Sequence, residues 1–196
     1  MPAEPRDVTT ARERAKADRR HALLTAAARL FAERGYSGTS IEDLGAAAGV
    51  SGPALYKHFS GKQGILAAIL LEASEGLYTG GQHVVASSTG THALRSLVTF
   101  HADFALNNAD VIRVQDRDLE QLADVDRHTV RTLQRRYVEL WVDVLEFLEP
   151  GLDRAVLRVR AHAVFGLLNS TPHSGHSHDR QTLREELEQM AIAALS

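Results

Sequence analysis

Between Gly35 and Lys62 the chain is punctuated so closely that only short helices fit. Gly35 follows Arg34, a basic last turn with a glycine stop, and closes a helix whose buried face reads Leu23, Ala27, Leu30 and Phe31. Thr39-Ser40 then precedes Ile41, with Asp43 three residues after Ser40, the pattern of a capping box. Ile41, Leu44 and Ala48 take the inner face of this second helix, and Gly49 ends it. Gly45 weakens it by up to ~1 kcal/mol relative to alanine. Only Val50 and Ser51 intervene before the next helix, in which Pro53 occupies a first turn, where a missing N–H costs least. That third helix is read over residues 52–59, GPALYKHF, with Leu55 and Phe59 inward.

The rest of the chain repeats the 3.6-residue period in longer pieces. Ser60 and Gln63 cap a fourth helix from about Lys62 to Leu77, followed by helices near Thr91–Asn107, Asp110–Leu122, Asp124–Leu148, Asp153–Asn169 and Arg180–Leu195. Pro150-Gly151 forces a turn. No segment alternates apolar and polar residues as a strand does, so the fold class is all-α with about nine helices. Residues 1–17 read as a mobile arm, 18–64 as the short-helix head and 65–196 as a helical body.

Charge divides along the same line. Residues 1–64 hold 10 Lys/Arg against 7 Asp/Glu, and residues 65–196 hold 12 against 18. A basic head on an acidic body suits a polyanion-binding module with a partner domain of different purpose, although so small an excess also arises by chance. The 196 residues include no cysteine, which excludes disulfide scaffolds, cysteine metal sites and a thiol nucleophile. No apolar run reaches the ~18 residues that span a bilayer, and the polar first segment is no secretory signal. No membrane partner and a cytoplasmic location are expected. There is no G-x-S-x-G, Walker loop, H-E-x-x-H or Rossmann fingerprint, so neither an enzyme nor a cofactor is expected.

Two short helices joined by a glycine-centred turn over a third form a helix-turn-helix, whose second helix enters the DNA major groove. The candidate DNA contacts are Thr39, Ser40, Ser51, Gly52, Pro53, Ala54, Tyr56, Lys57, His58 and Lys62. Gly52 and Ala54 are small enough for close approach, and the Ala54 methyl suits thymine. Tyr56, Lys57 and His58 have the reach for phosphates or bases, and Lys62 suits a phosphate. The same spacing also serves plain packing, with Tyr56 and Phe59 both in the core.

The stretch GYSGTSIEDLGAAAGVSGPALYKHFSGKQGIL, residues 35–66, resembles the N-terminal signature of the tetracycline-repressor (TetR) family. The matching elements are a glycine and aromatic, a Thr/Ser pair, an alanine-rich helix, A-G-V-S, then L-Y-x-H-F and a lysine. Leu44-Gly45 departs from the isoleucine-alanine of many members. The resemblance implies a DNA-binding transcriptional regulator, a repressor that binds double-stranded operator DNA and releases it when a small effector enters the body. It also implies a homodimer formed through the last two long helices. Val164, Leu168, Leu183, Leu187, Met190, Ala191 and Ala194 are the interface candidates. The alternative is that these stripes pack within one subunit.

Candidate effector-lining residues are Phe100, His101, Phe104, Trp141, Phe147, Phe165 and Asn169, although aromatic stripes also build ordinary cores. The segments IRVQDRDLEQL and RRYVELWVDVL resemble the bodies of regulators of fatty-acid, branched-chain or sterol catabolism, which implies a hydrophobic or acyl-coenzyme A effector. Arg113, Arg117, Arg135 and Arg136 then pair with its phosphates, or else form a solvated face with Asp116, Asp118 and Glu120. His173, His176 and His178 with Asp179 have metal-ligand chemistry. A metal-responsive regulator and a helical interaction module are therefore the alternative functions. The Ser- and Gly-rich composition favours a solvated loop there, with no metal. His101 and His162 are a further pair that the fold could bring together.

Overall fold

The computed structural model describes residues 11–174 and 179–195. Among them are ten α-helical segments and no strand, eight of the ten having seven residues or more. Helix α1 (Ala11–Arg34) ends at Gly35, whose φ of +80° is the left-handed conformation that closes a helix. Helix α2 (Ile41–Ala47) opens with the expected capping box: Ser40 Oγ accepts from Asp43 N at 3.0 Å, and Asp43 Oδ2 accepts from Ser40 N at 2.9 Å. These bonds hold the Asp43 carboxyl below its usual range. The turn to the next helix passes through Gly49 at φ +67°.

Helix α3 (Gly52–Leu55) is shorter than the sequence pattern suggests. The chain continues as hydrogen-bonded turns, with His58 N and Phe59 N both donating to Leu55 O at 2.9 and 3.0 Å. Among the residues of this stretch whose burial is described only Leu55 and Phe59 are buried, and Gly61 at φ +100° swings the chain into α4 (Lys62–Ser87). At 26 residues α4 runs ten residues past the expected end at Leu77. Then follow α5 (Gly90–Asn107), α6 (Ala109–Asp118), a 3-10 turn Leu119–Gln121 and α7 (Asp124–Leu148). Helices α8 (Arg154–Leu168), α9 (Thr171–Ser174) and α10 (Arg180–Leu195) complete the order. No described helix is long and apolar enough to cross a membrane.

The helices close around two cores. The first joins Leu23, Leu24, Ala27 and Phe31 of α1 to Leu44, Leu55 and Phe59, to Ile65–Leu70 of α4, and to Val114, Leu122 and Val130 from farther along the chain. The second joins α5, the later part of α7, α8 and α10 through residues such as Leu97, Trp141, Leu145, Leu157, Leu168 and Leu187. Helices α4 and α7 run through both, and α4 packs along α7 and α5. After the Pro150-Gly151 turn α8 packs against α7. Arg154 there meets Glu139 at 2.9 Å, Asp143 at 2.8 Å and Glu146, and Arg158 meets Glu139 at 2.8 Å. These half-exposed pairs fix direction more than they stabilise.

Three of the four glycines inside α4 sit in different surroundings. A Cβ on Gly81 would come within 2.7 Å of the buried Tyr137 ring, and one on Gly80 would run into the half-buried Phe100 ring. Both permit close approach of neighbouring helices. Gly76, between the two cores, has nothing within 4 Å of its missing Cβ. Gly76→Ala is therefore expected to raise stability by about 0.5–1 kcal/mol. Gly81→Ala is expected to lower it by about 1–3 kcal/mol, because Tyr137 has no room to give. Gly80→Ala should fall between them, since the Phe100 ring can shift. Thermal melting of the three variants checks this order.

Candidate nucleic-acid interface and effector region

On the head, burial sorts the candidate contacts. Leu55 is fully buried and Phe59 nearly so, while Tyr56 is 60% exposed and Lys57 and His58 face solvent. Tyr56 therefore stands outside the core rather than in it. Ser40, Ser51 and Pro53 are also exposed, whereas the side chains of Gly52 and Ala54 lie outside the described residues. The Ser40 hydroxyl is already engaged with Asp43.

Two candidates have other tasks. Thr39 is buried, and its hydroxyl donates to Gly35 O at 2.8 Å. Lys62 Nζ donates to Tyr36 O at 2.8 Å and Thr39 O at 2.9 Å, and lies 4.2 Å from the Tyr36 ring centroid. An ammonium given to two carbonyls and a π face is held in the fold rather than offered to a phosphate. From sequence, a lysine after an aromatic turn looks like a phosphate ligand, since nothing local reveals carbonyls about 25 residues earlier.

The effector candidates divide among three places. His101, Trp141, Phe165 and Asn169 meet, joined by Tyr137. His101 Nδ1 lies 3.2 Å from Tyr137 Oη, and His101 Nε2 lies 3.0 Å from Asn169 Oδ1. Asn169 Oδ1 can only accept, so Nε2 carries the proton and Nδ1 accepts from the tyrosine. The His101 ring stacks with Phe165 at 4.9 Å and Tyr137 at 5.7 Å, and the buried Trp141 stands edge-on to all three. Among the described residues Trp141 Nε1 is buried without a hydrogen-bond partner. Burial lowers the His101 pKa to about 4, with the Asn169 bond opposing, and burial pushes the Tyr137 phenol up. The Tyr137–Trp141 spacing of four residues was the available sequence signal for this cluster.

Phe100 lies over Gly80, while the Phe104 ring lies 6.2 Å from that of His101 and also borders a different space. That space is a cleft of about 820 Å³ between α1, α4 and the α5–α6 junction, lined by His21, Thr25, Glu72, Phe104, Asn108 and Asp110 among others. Phe147 belongs to neither place. It is 74% exposed beside Gly90, at a shallow groove with Val85 and Leu140. Residues three or four apart share a helix face, which brings Phe104 to His101 and Asn169 to Phe165, whereas Phe147 lies six residues beyond Trp141 and points elsewhere.

The arginines proposed for an effector's phosphates are also mostly engaged. Arg113 donates to Pro172 O at 2.9 Å, Arg117 to the Phe31 and Ala32 carbonyls, and Arg135 to Thr132 Oγ1 at 2.9 Å. Arg136 lies over the Tyr78 ring. His162 is exposed and touches the Phe165 ring, so it does not meet His101. His173 is exposed, and His176 and His178 lie outside the described residues. Among the described residues no group of three or more His, Cys, Asp or Glu is placed to hold a metal ion.

Of the interface candidates, Val164, Leu168, Leu187 and Ala191 are buried within the subunit, and Leu183 is half-buried. An amphipathic stripe tells which residues are apolar, not which neighbour covers them. Met190 and Ala194 of α10 face outward beside α8, whose own outward residues are Val156, Val159, Ala163 and Gly166. Val159 is 69% exposed.

The family model described as "Bacterial regulatory proteins, tetR family" matches residues 23–69, and that described as "Tetracyclin repressor-like, C-terminal domain" matches residues 87–173. Together they take in well over half of the chain. The chain belongs to the TetR family. It is similar to the HTH-type transcriptional repressor KstR2 of Rhodococcus jostii, with 33% identity over 133 residues, 67% of this chain. The match spans 65% of that relative's length, just under two thirds. Among solved structures, PfmR of Thermus thermophilus superposes with a TM-score of 0.73 at 28% identity, covering 96% of this chain and 97% of that one. AibR, solved with isovaleryl coenzyme A and operator DNA, shares the fold with a TM-score of 0.71 at 21% identity, covering 88% of this chain and 97% of that one.

Two tests follow from this geometry. Lys62→Met should destabilise the head by about 1–3 kcal/mol, the worth of hydrogen bonds from a charged donor. It should leave the salt dependence of DNA binding unchanged, because no phosphate contact is lost. A slope shallower by about 0.9 would return Lys62 to the phosphate. The second test concerns His101. Below pH 6.5 the unfolded chain takes up a proton that the buried imidazole refuses down to about pH 4. Stability should therefore fall across that window, by about 3 kcal/mol at its acid end. Melting of His101→Gln against pH should show a shallower loss than the parent, and equal slopes would clear His101 of the effect.

Proposed function

We propose that this chain is a ligand-responsive, DNA-binding transcriptional regulator that acts in the cytoplasm as a homodimeric repressor. The observation that carries the reading is the division of residues 51–59. Leu55 and Phe59 are buried while Ser51, Pro53, Tyr56, Lys57 and His58 are exposed, which leaves one edge of a short helix free to enter a major groove. The named repressor relative supports repression.

A single head offers little contact area, and helix-turn-helix proteins read two half-sites about 34–36 Å apart or at multiples of it. The outward stripe of Val156, Val159, Ala163, Met190 and Ala194 supplies a self-complementary face for a two-fold axis. The effector is a small molecule acting on the body. Support for an acyl-coenzyme A class is one of fold, since AibR carries isovaleryl coenzyme A on this architecture. The closed aromatic cluster around His101 is a site that such a molecule would have to open.

The test is selection of bound duplexes from randomised DNA with the full chain, followed by gel shift. A two-half-site sequence should emerge. Tyr56→Ala should lose specific binding while changing stability by no more than about 0.5 kcal/mol, as an exposed side chain does. A large drop in melting temperature, or undiminished specific binding, would defeat the role given to Tyr56.

A further inference from the structure

The ties between head and body include the continuous helix α4 and helix α6, whose Arg117 reaches α1 across 85 residues of sequence. Arg117 Nη1 donates to Ala32 O at 3.3 Å and Nη2 donates to Phe31 O. On its other side Nε lies 3.2 Å from both Asp118 oxygens, and Nη2 lies 2.9 Å from Oδ2. Asp118 is buried, whereas the Arg117 side chain is 42% exposed. The planar fork is thus locked between a fixed carboxylate and the last carbonyls of α1, where the helix dipole also favours a cation.

What this contact controls follows from what is attached at each end. Beyond α1 the chain turns at Gly35, which lies against the Arg117 guanidinium. Thr39 and Lys62 bind the turn to the starts of α2 and α4. Gln63 Nε2 adds a bond to Gln121 O at 3.0 Å. The short helices therefore move with the end of α1. At its other end α6 follows α5 directly, Arg113 donates to Pro172 O at 2.9 Å, and Thr171 Oγ1 donates to Ala105 O at 2.8 Å. Helix α6 is a strut with one end in the body and Arg117 at the head.

We propose that Arg117 is a positioning residue for DNA recognition: through the carbonyls of Phe31 and Ala32 it sets the angle of the head on the body, and so the spacing of two heads in a dimer. The core contacts of α6, Val114 above all, supply stability. The guanidinium also neutralises the buried Asp118 carboxylate, and its two-pronged geometry fixes direction. The inference rests on the DNA-binding reading above.

The experiment uses the duplex selected by the parent protein, the same duplex with its spacer changed by one base pair either way, and a duplex with a single half-site. Arg117→Ala should bind the single half-site within about twofold of the parent. It should lose about tenfold or more on the full site, because simultaneous engagement depends on geometry, and its preference for the selected spacer should flatten. Arg117→Lys keeps the charge without the fork. It should recover part of the full-site affinity but not the sharp spacer preference. Equal losses on half-site and full site, or parent behaviour on all duplexes, would overturn the proposal. Melting curves guard against unfolding: if Arg117→Ala melts well below the parent, the double variant Arg117→Met/Asp118→Asn, which removes the fork without leaving a buried carboxylate unpaired, replaces it with the same expected pattern. A parent that selects no duplex would overturn the DNA-binding reading itself, and this inference with it.

Discussion

The orientation of the short helices depends on how the carbonyls at the end of α1 and in the turn beyond it are bonded. A helix leaves its last carbonyls without partners, and the turn that follows adds more. Phe31 O and Tyr36 O keep backbone partners here, Gly35 N at 2.8 Å and Thr39 N at 3.3 Å, and two cations from distant parts of the chain add to them. Arg117 takes Phe31 and Ala32, and Lys62 takes Tyr36 and Thr39. Gly35 makes the geometry possible by adopting a left-handed conformation. The capping box of α2 begins one residue past Thr39, so the helix-turn-helix inherits its orientation from this small knot of backbone oxygens and side-chain nitrogens.

The second organising fact is that the cores do not follow the boundary that charge and helix length suggest. The charge division and the short helices both point to a break near residue 64. Yet Ile65–Leu70, Val114, Leu122 and Val130 finish the first core, and the partly buried Val111 and Leu119 pack against it. The body reaches into the head's interior. The second core is held by apolar packing and by one buried polar chain, in which Tyr137, His101 and Asn169 satisfy one another. An imidazole kept neutral by burial can serve as both donor and acceptor there, which an imidazolium could not.

Legibility in the sequence followed the range of the interaction. The capping box, the glycine stops and the inward pair Leu55 and Phe59 are encoded within four residues, and the structure reproduces them. The ends of α7 and α10 were read correctly for the same reason. The length of α4 was not, because Gly76, Gly80 and Gly81 weaken the helical signal, and two of them are explained only by the Phe100 and Tyr137 rings on other helices. The inner bonds of Lys62 and Thr39 are not legible locally, because their partners lie in the preceding turn. The apolar stripes of α8 and α10 were correct as stripes, but Val164 and Leu187 turned inward while Met190 remained outside. Phe147 shows the same limit: its type suggested a pocket, and its place on α7 puts it in solvent.

The shared first core also bears on how such a chain can vary over time. A head whose interior were complete by residue 64 could be exchanged between proteins like a cartridge, carrying its sequence preference to a new body. This one could not. Phe31, Leu24 and Ile69 would lose the cover that Val114, Leu122 and Val130 provide, and the end of α1 would lose the arginine fork. A recombination event at that boundary would have to bring matching residues from α6 and the start of α7, more than forty positions away. The exposed residues of the short helices are free of such packing constraints, but the head as a unit is bound to its own body.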